Sequence, residues 1–212
     1  NMTTLGTLYL LPVMLGDETP ATDVLPATVA RAISLIDDYV VENSKVARKF
    51  IKAIYPEKVQ ATLNLFELNK HTDAKELKTF IQPLLDGKNM GLMSDAGCPG
   101  VADPGAVIVA MAHEKGIKVV PLVGPSSILL SLMGSGMNGQ SFTFNGYLPI
   151  DNSDNRSMLK HLEKWSSDRD QSQIFIETPY RNNQLMEEMV QILQPNTLLC
   201  VACDLTLPTE IM

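Results

Sequence analysis

Apolar positions along the first half of the chain alternate between two periods. Short apolar runs at residues 7–12, 39–42, 63–68, 90–93 and 117–122 read as buried strands. Between them, apolar residues recur at intervals of three and four. Leu25, Val29, Ala32, Ile33 and Ile36 mark a helix over 24–36, and Ser44 is placed to cap one over 45–53. A third helix runs from Thr72 to Leu85 with Gly87 past its end, and a fourth spans 104–115. Such alternation predicts an α/β fold, with a mainly parallel sheet and helices on both faces. From Gly124 the pattern restarts with helix 126–133, strand 141–145, helix 154–165, strand 173–177, helix 182–193 and strand 198–202. The chain therefore divides into an N-terminal α/β domain over 1–122 and a C-terminal α/β domain over 123–212 with a mixed sheet. The second half stops soon after a strand, where a sheet would need another partner, so its end is expected to be incomplete.

The most informative stretch is 94–105, directly behind the run Met90-Gly-Leu-Met93. It holds Gly97, Gly100 and Gly105, two prolines and two aspartates. Glycines without a Cβ let main-chain N–H and C=O groups approach a ligand closely. Asp103 is placed to cap the next helix and Pro104 to occupy its first position. A plain strand-to-helix connection needs only about two to six residues, so the loop reads as a ligand loop. Further loops follow other strands: Pro12-Val-Met-Leu-Gly16, Glu42-Asn-Ser44, Gly124-Pro-Ser-Ser127 and Glu177-Thr-Pro-Tyr-Arg181. Open α/β sheets bind ligands outside the carboxyl ends of their strands, and these loops are expected to converge on one cleft between the two halves. None has a phosphate-cradling signature, which points to a nucleoside-like ligand without a pyrophosphate.

Composition narrows the function. The formal net charge of −7 argues against a protein that coats nucleic acid nonspecifically. One local basic patch stands out, Lys45, Arg48, Lys49 and Lys52 on a single helix, which by itself reads as a solvated face. The three cysteines, Cys98, Cys200 and Cys203, suit a reducing, cytoplasmic compartment. Cys200 and Cys203 match C-x-x-C, but side chains three apart in a strand point to opposite faces. Gly134-Ser-Gly-Met-Asn-Gly139 matches G-x-G-x-x-G in the wrong setting, after a helix and before a strand, and is read as a turn. His71, His113 and His161 lie far apart, so no metal site is expected. No apolar run is long enough to span a bilayer. The opening Asn1-Met2 has no leader character, and Asn1 reads as an expression remnant.

Taken in order, these segments resemble the tetrapyrrole (corrin/porphyrin) methylase superfamily. Gly6-Thr-Leu-Tyr-Leu-Leu-Pro12 resembles its opening strand. The stretch 94–105, then Val119-Val-Pro-Leu-Val-Gly-Pro-Ser-Ser127, Phe142-Thr-Phe-Asn-Gly-Tyr-Leu-Pro149 and Ile174-Phe-Ile-Glu-Thr-Pro-Tyr-Arg181, resemble the branch that methylates a cytidine ribose 2′-oxygen in small-subunit ribosomal RNA. The resemblance implies two α/β domains, S-adenosyl-L-methionine as cofactor, a homodimer and ribosomal RNA as partner. By matching motif it implies that Pro12, Asp95, Ala96, Gly97, Val101 and Ala102 line the cofactor site, with Ser126 and Ser127 after the Gly-Pro turn and Leu207, Pro208 and Thr209 in a late loop near the adenine. The chain departs from that branch at three places. Glu42-Asn-Ser-Lys45 stands for Glu-Asp-Thr-Arg, Thr178-Pro-Tyr-Arg181 for Ser-Pro-His-Arg, and Val13-Met-Leu-Gly16-Asp17 for Thr-Pro-Ile-Gly-Asn.

Methyl transfer to a hydroxyl needs in-line positioning and removal of a proton. Glu42, Lys45 and Glu177 are the candidates for that proton, with Arg181 placed to hold an anionic group. Two of them have simpler roles available: Glu42 as a helix cap and Glu177 as the ion-pair partner of Arg181. Two other readings compete with the RNA enzyme, a methylase of a small tetrapyrrole precursor and a cofactor-binding protein without turnover.

Overall fold

Five short strands, β1 (Thr7–Leu10), β2 (Asp38–Val41), β3 (Asn64–Glu67), β4 (Met90–Met93) and β5 (Lys118–Pro121), form one sheet in the order β3-β2-β4-β1-β5. All four pairings are parallel. The structure, a computed structural model, describes residues 4–212; the remnant read at Asn1-Met2 lies outside the described residues. β2 and β4 are buried along their whole length, which is why they read as apolar runs, apart from the buried Asp38 that opens β2. Gly91 in β4 is required by packing, since a Cβ there would sit 2.6 Å from the Tyr39 ring and 2.7 Å from Leu11.

Successive strand residues face opposite sides, and β2 makes this visible. Tyr39 and Val41 join Val29, Ile33, Phe50 and Ile51 in one core. Val40 joins Leu84, Ile108 and Ala112 in the other. The first core lies under α1 (Ala27–Leu35) and α2 (Ser44–Ile54), the second under α3 (Ala74–Phe80), α4 (Gln82–Leu85) and α5 (Ala106–Glu114). Topology explains the split. The connection from β1 to β2 runs one way along the sheet and that from β4 to β5 runs the other way. Right-handed crossovers in opposite directions place their helices on opposite faces. The reversal falls between neighbours β1 and β4, the switch point at which such sheets bind ligands.

Several sequence-based boundaries shift for local reasons. The helix expected over 24–36 begins at Ala27, because Pro26 holds the entry extended. Asn43 caps α2 by accepting from the Val46 N–H at 3.1 Å, so Ser44 is its first residue rather than its cap. The single helix expected from Thr72 to Leu85 divides at Ile81, where Pro83 removes a backbone donor.

Packing divides the chain into two compact units. One runs through Ser127 and includes Thr206–Thr209; the other comprises Ile128–Leu205 and Glu210–Met212. The second unit carries all but the first residue of α6 (Ser127–Ser135), then β6 (Phe142–Tyr147), α7 (Asn152–Arg169), β7 (Ser172–Ile176) and α8 (Asn182–Ile192). Its core is Leu148, Leu159, Leu162, Leu185 and Met189. The expected mixed sheet is not what forms: β6 and β7 pair in parallel as a two-stranded sheet. The strand expected over 198–202 finds no ladder; Leu198, Leu199 and Val201 are exposed, and only Cys203 pairs, with Ile211 in an isolated antiparallel bridge. Gly136 at φ +73 ends the α6 segment, as the turn reading of Gly134 to Gly139 requires. Among the described residues no helix is long and apolar enough to cross a membrane.

Candidate functional site

Four segments of the five-stranded unit meet beyond the carboxyl ends of β1 and β4. The loop after β1 pairs with the loop after β4: the Val13 N–H donates to Gly97 O and the Gly97 N–H donates to Val13 O, each at 3.0 Å. The loop after β5 joins them. Cys98 donates its thiol hydrogen to Pro125 O at 3.3 Å and Gly124 O at 3.7 Å. A Cβ on Gly124 would lie 2.1 Å from Pro12 Cβ, so only glycine permits that approach. The late segment Thr206–Thr209 completes the set, with Thr19 Oγ1 donating to Thr206 O at 2.6 Å. Leu207 fills the space where a Cβ of Gly16 would stand.

Inside the 94–105 loop, Asp103 acts as an internal acceptor. Its carboxylate receives the Gly100 N–H at 3.0 Å and the Gly105 N–H at 2.7 Å, closing the turn ahead of α5. Gly97 and Gly100 take φ +70 and +85, and Ala102 takes φ +58. A left-handed alanine costs about 1–2 kcal/mol, the kind of strain that collects at ligand sites. Asp95, Ala96, Val101 and Ala102 are exposed, whereas Pro12 and Gly97 are buried beneath them. Ser126 and Ser127 are half-buried, and Pro208 and Thr209 are exposed. The structure thus gathers Pro12, Asp95, Ala96, Gly97, Val101 and Ala102, together with the Gly124–Ser127 turn and the late segment, at one end of one sheet.

Carboxylates dominate the electrostatics. Glu42 leaves the end of β2 and its Oε1 accepts the Asp95 N–H at 3.1 Å; it does not cap α2, since Asn43 does. Burial pushes the Glu42 carboxyl above its ordinary range, the Asp95 N–H pulls it back, and the charges of Asp95 and Asp103 push it up again. Burial likewise raises Asp95, against a bond from the Asn43 backbone and with Glu67 adding to the rise. Glu67 accepts the Ser44 N–H at 2.8 Å, which holds its own carboxyl below the usual value. The cavity beside Glu42, Met93, Asp103 and Gly105 measures about 10 Å³. That is room for about one water. Among the described residues no group of three His, Cys, Asp or Glu could hold a metal ion.

The remaining candidates are placed otherwise. Lys45 opens the exposed face of α2. Glu177 and Arg181 belong to the two-stranded unit and pair with each other at 3.3 Å. Arg181 also donates to Pro149 O at 3.3 Å and Ile150 O at 3.4 Å, while the Glu177 side chain accepts the Thr178 N–H at 2.8 Å. Sequence reasoning passed over Val13 and Cys98, whose parts in joining the loops come from a backbone pairing and a thiol contact, whereas Leu207, expected in the late loop, enters by plain apolar contact at Gly16. Only the Cys98 position, between two glycines inside the ligand loop, carried a signal that could have marked it.

No family model matches the chain. It is 30% identical over 202 residues to a protein of Vibrio cholerae serotype O1 named ribosomal RNA small subunit methyltransferase I, covering 94% of this chain and 65% of that one. Proteins of the same name from Bacillus subtilis (strain 168) and Escherichia coli O157:H7 are 32% and 29% identical, with 89% and 95% of this chain and 60% and 66% of theirs aligned. The chain therefore spans somewhat less than two thirds of the length of these curated relatives. In structure it resembles the methyltransferase CobJ, with a TM-score of 0.63 at 18% identity over 97% of this chain and 84% of that one. It also resembles diphthine synthase, with a TM-score of 0.59 at 15% identity over 88% and 73%.

Proposed function

Because the chain has the tetrapyrrole methylase fold and is homologous over most of its length to proteins named ribosomal RNA small subunit methyltransferase I, we propose that it is an S-adenosyl-L-methionine-dependent methyltransferase acting on the 2′-hydroxyl of a cytidine ribose in 16S ribosomal RNA. The observation that carries this reading is the meeting of the loops after β1, β4 and β5 at the switch point of a parallel sheet.

The site suits the cofactor chemically. Its glycine-rich backbone accommodates a flat nucleoside, with open space where a Cβ of the half-buried Gly100 would stand. Its carboxylates, Glu42, Asp95 and Asp103, complement a positive sulfonium and ammonium and would repel a pyrophosphate. When bound, S-adenosylmethionine supplies an electrophilic methyl group for in-line displacement. The chain must hold the acceptor in line and take up its proton. Glu42 is the group we assign to the proton: it stands at a strand end beside the loop, and its raised pKa brings it nearer the range a base needs. Pro12, Asp95, Ala96, Gly97, Val101 and Ala102 hold the cofactor, with Ser126, Ser127, Pro208 and Thr209 at its edges. Lys45 and Arg181 are assigned to the RNA, and Glu177 to orienting Arg181. We propose further that the enzyme works in the cytoplasm as a homodimer, which sedimentation would detect at about twice 23.3 kDa.

A small-molecule acceptor is the second reading, favoured by the net charge of −7. Tritium from labelled S-adenosylmethionine should enter the RNA of small ribosomal subunits from a strain lacking this modification, and mass spectrometry should find a 2′-O-methylcytidine. Label in a tetrapyrrole with none in RNA overturns the RNA reading.

A further inference from the structure

One face of α2 is left unexplained by the cofactor site. Its cations, Lys45, Arg48, Lys49 and Lys52, are all exposed, and their spacing of three, four and seven residues sets them on one stripe of the helix. The opposite side of the same helix, Ala47, Phe50 and Ile51, is buried against the sheet. The helix Ser44–Ile54 contains no acidic residue, in a chain whose formal net charge is −7. This is therefore a local reversal of sign, not a sample of the general surface.

The stripe is also well positioned. Its first cation, Lys45, stands three residues after Glu42, the carboxylate that accepts from the Asp95 N–H of the ligand loop. From there the stripe runs away from the strand ends for about 10 Å of helix axis. Its neighbours leave most of it available. Lys49 meets Asp17 at 3.1 Å, both side chains being well exposed. Arg48 reaches Gln60 O at 3.0 Å and Gln60 Oε1 at 3.4 Å, bonds that hold the guanidinium without cancelling its charge. Glu67 is engaged by the Ser44 N–H at the start of the helix, next to Lys45.

We propose that the Lys45, Arg48, Lys49 and Lys52 face is the track along which the RNA backbone lies when its ribose enters the site, an inference that rests on the RNA reading above. Phosphate contacts of this kind position a nucleic acid without reading its sequence. The acidic loop and the basic stripe then divide the work by charge. Carboxylates hold the cationic cofactor, and lysines a few residues away hold the anionic acceptor. An anionic membrane is the poorer fit, because the apolar side of α2 is already buried in the protein and has nothing to insert.

The test measures binding of full-length protein to a 16S ribosomal RNA transcript across a salt series, comparing wild type with Lys49→Ala/Lys52→Ala. Neither residue has a role in the proposed cofactor or proton chemistry. Each phosphate neutralised on a single strand contributes about −0.7 to the slope of log K against log salt. The double variant should therefore lose about 1.4 from that slope and bind about tenfold more weakly at low salt. Its calorimetric affinity for S-adenosylmethionine and its circular dichroism should match wild type. If wild type methylates the RNA and the variant binds with the same affinity and slope, the track is wrong and the enzyme reading stands. If wild type neither binds nor methylates RNA but binds S-adenosylmethionine, the RNA reading falls and the track falls with it. Loss of binding to vesicles of 30% phosphatidylserine, with RNA binding unchanged, would assign the stripe to a membrane and overturn the proposal.

Discussion

The two units treat their strands differently. In the five-stranded unit, β2 and β4 have a helical layer on each side, and two cores built around Ile33 and Ile108 close over them. In the two-stranded unit, a single core around Leu159 and Leu185 serves both helices α7 and α8, and large apolar side chains remain outside it. Met133 and Val190 are each 77% exposed, and Tyr180 is 96% exposed. The difference shows where a preorganised site can be held. Loops that leave doubly covered strands start from fixed points, so a backbone pairing such as Val13 with Gly97 can be kept without long side chains. Loops that leave a two-stranded ribbon lack that support, and there the chain relies on side-chain ties instead, as at Arg181 with Glu177, Pro149 and Ile150.

Four tests probe this contrast in order of decreasing effect, the first three each with a control variant. Ile33→Ala, in the first core, should cost about 2–5 kcal/mol in denaturant unfolding. Val190→Ala on the exposed side of α8 should change stability by less than about 0.5 kcal/mol. Similar losses at both would mean that Val190 is packed as firmly as Ile33, and the contrast between the units would fail. Next, Gly124→Ala forces a methyl against Pro12 and should cost about 1–3 kcal/mol in strained packing. Felt at the loops, that weakens S-adenosylmethionine about tenfold or more in calorimetry. Gly139→Ala is the matched control, with nothing within 4 Å of its Cβ, and should leave binding unchanged.

Asp103→Ala strips the acceptor from the Gly100 and Gly105 amides, at about 0.5–2 kcal/mol by analogy with a lost helix cap. Hydrogen exchange should quicken at those two amides and cofactor affinity should fall. Asp151→Ala removes the cap that accepts from the Asp154 N–H of α7 at 3.0 Å, a comparable change that should leave cofactor affinity alone. The smallest effect is in the pH dependence at Glu42. Its folded pKa lies above the ordinary value of 4.5, so ionising it costs the folded state. That cost is absent below the ordinary value and is fully present once the pH exceeds the raised one. Glu42→Gln keeps an acceptor for the Asp95 N–H and should melt slightly higher than wild type at pH 7, with the gain vanishing by about pH 4. Methyl transfer should drop while S-adenosylmethionine still binds. A gain that grew as the pH fell would contradict the burial argument.

Much of the five-stranded unit was legible because its signals are local. Apolar runs marked most of β2 and all of β4, and glycines at 97 and 100 marked a loop whose backbone needs positive φ. The misreadings involve partners distant in sequence or backbone chemistry that periodicity does not register. Residues 198–202 have every local quality of a strand, yet a strand exists only where another edge pairs with it. Pro83 broke a helix whose apolar spacing was continuous across it. Val13 and Cys98 entered the site through a backbone pairing and a thiol contact, which residue type does not advertise. The acidic character of the site was partly readable from Asp95 and Asp103, whereas the bond from the Asp95 N–H to Glu42 depended on β2 and β4 being neighbours.

Cys98 gives the loop junction a built-in clock. Burial raises its thiol above the ordinary 9.0, so at neutral pH the sulfur keeps the proton it donates to Gly124 O and Pro125 O and is a slow nucleophile. Any motion that parts the two loops would free and hydrate it, and its alkylation rate would then report how often the junction opens. Cys203 is exposed in the same chain and supplies an internal reference for reagent access. Mass-spectrometric labelling of the two thiols, with and without S-adenosylmethionine, would turn a static sulfur contact into a rate of breathing.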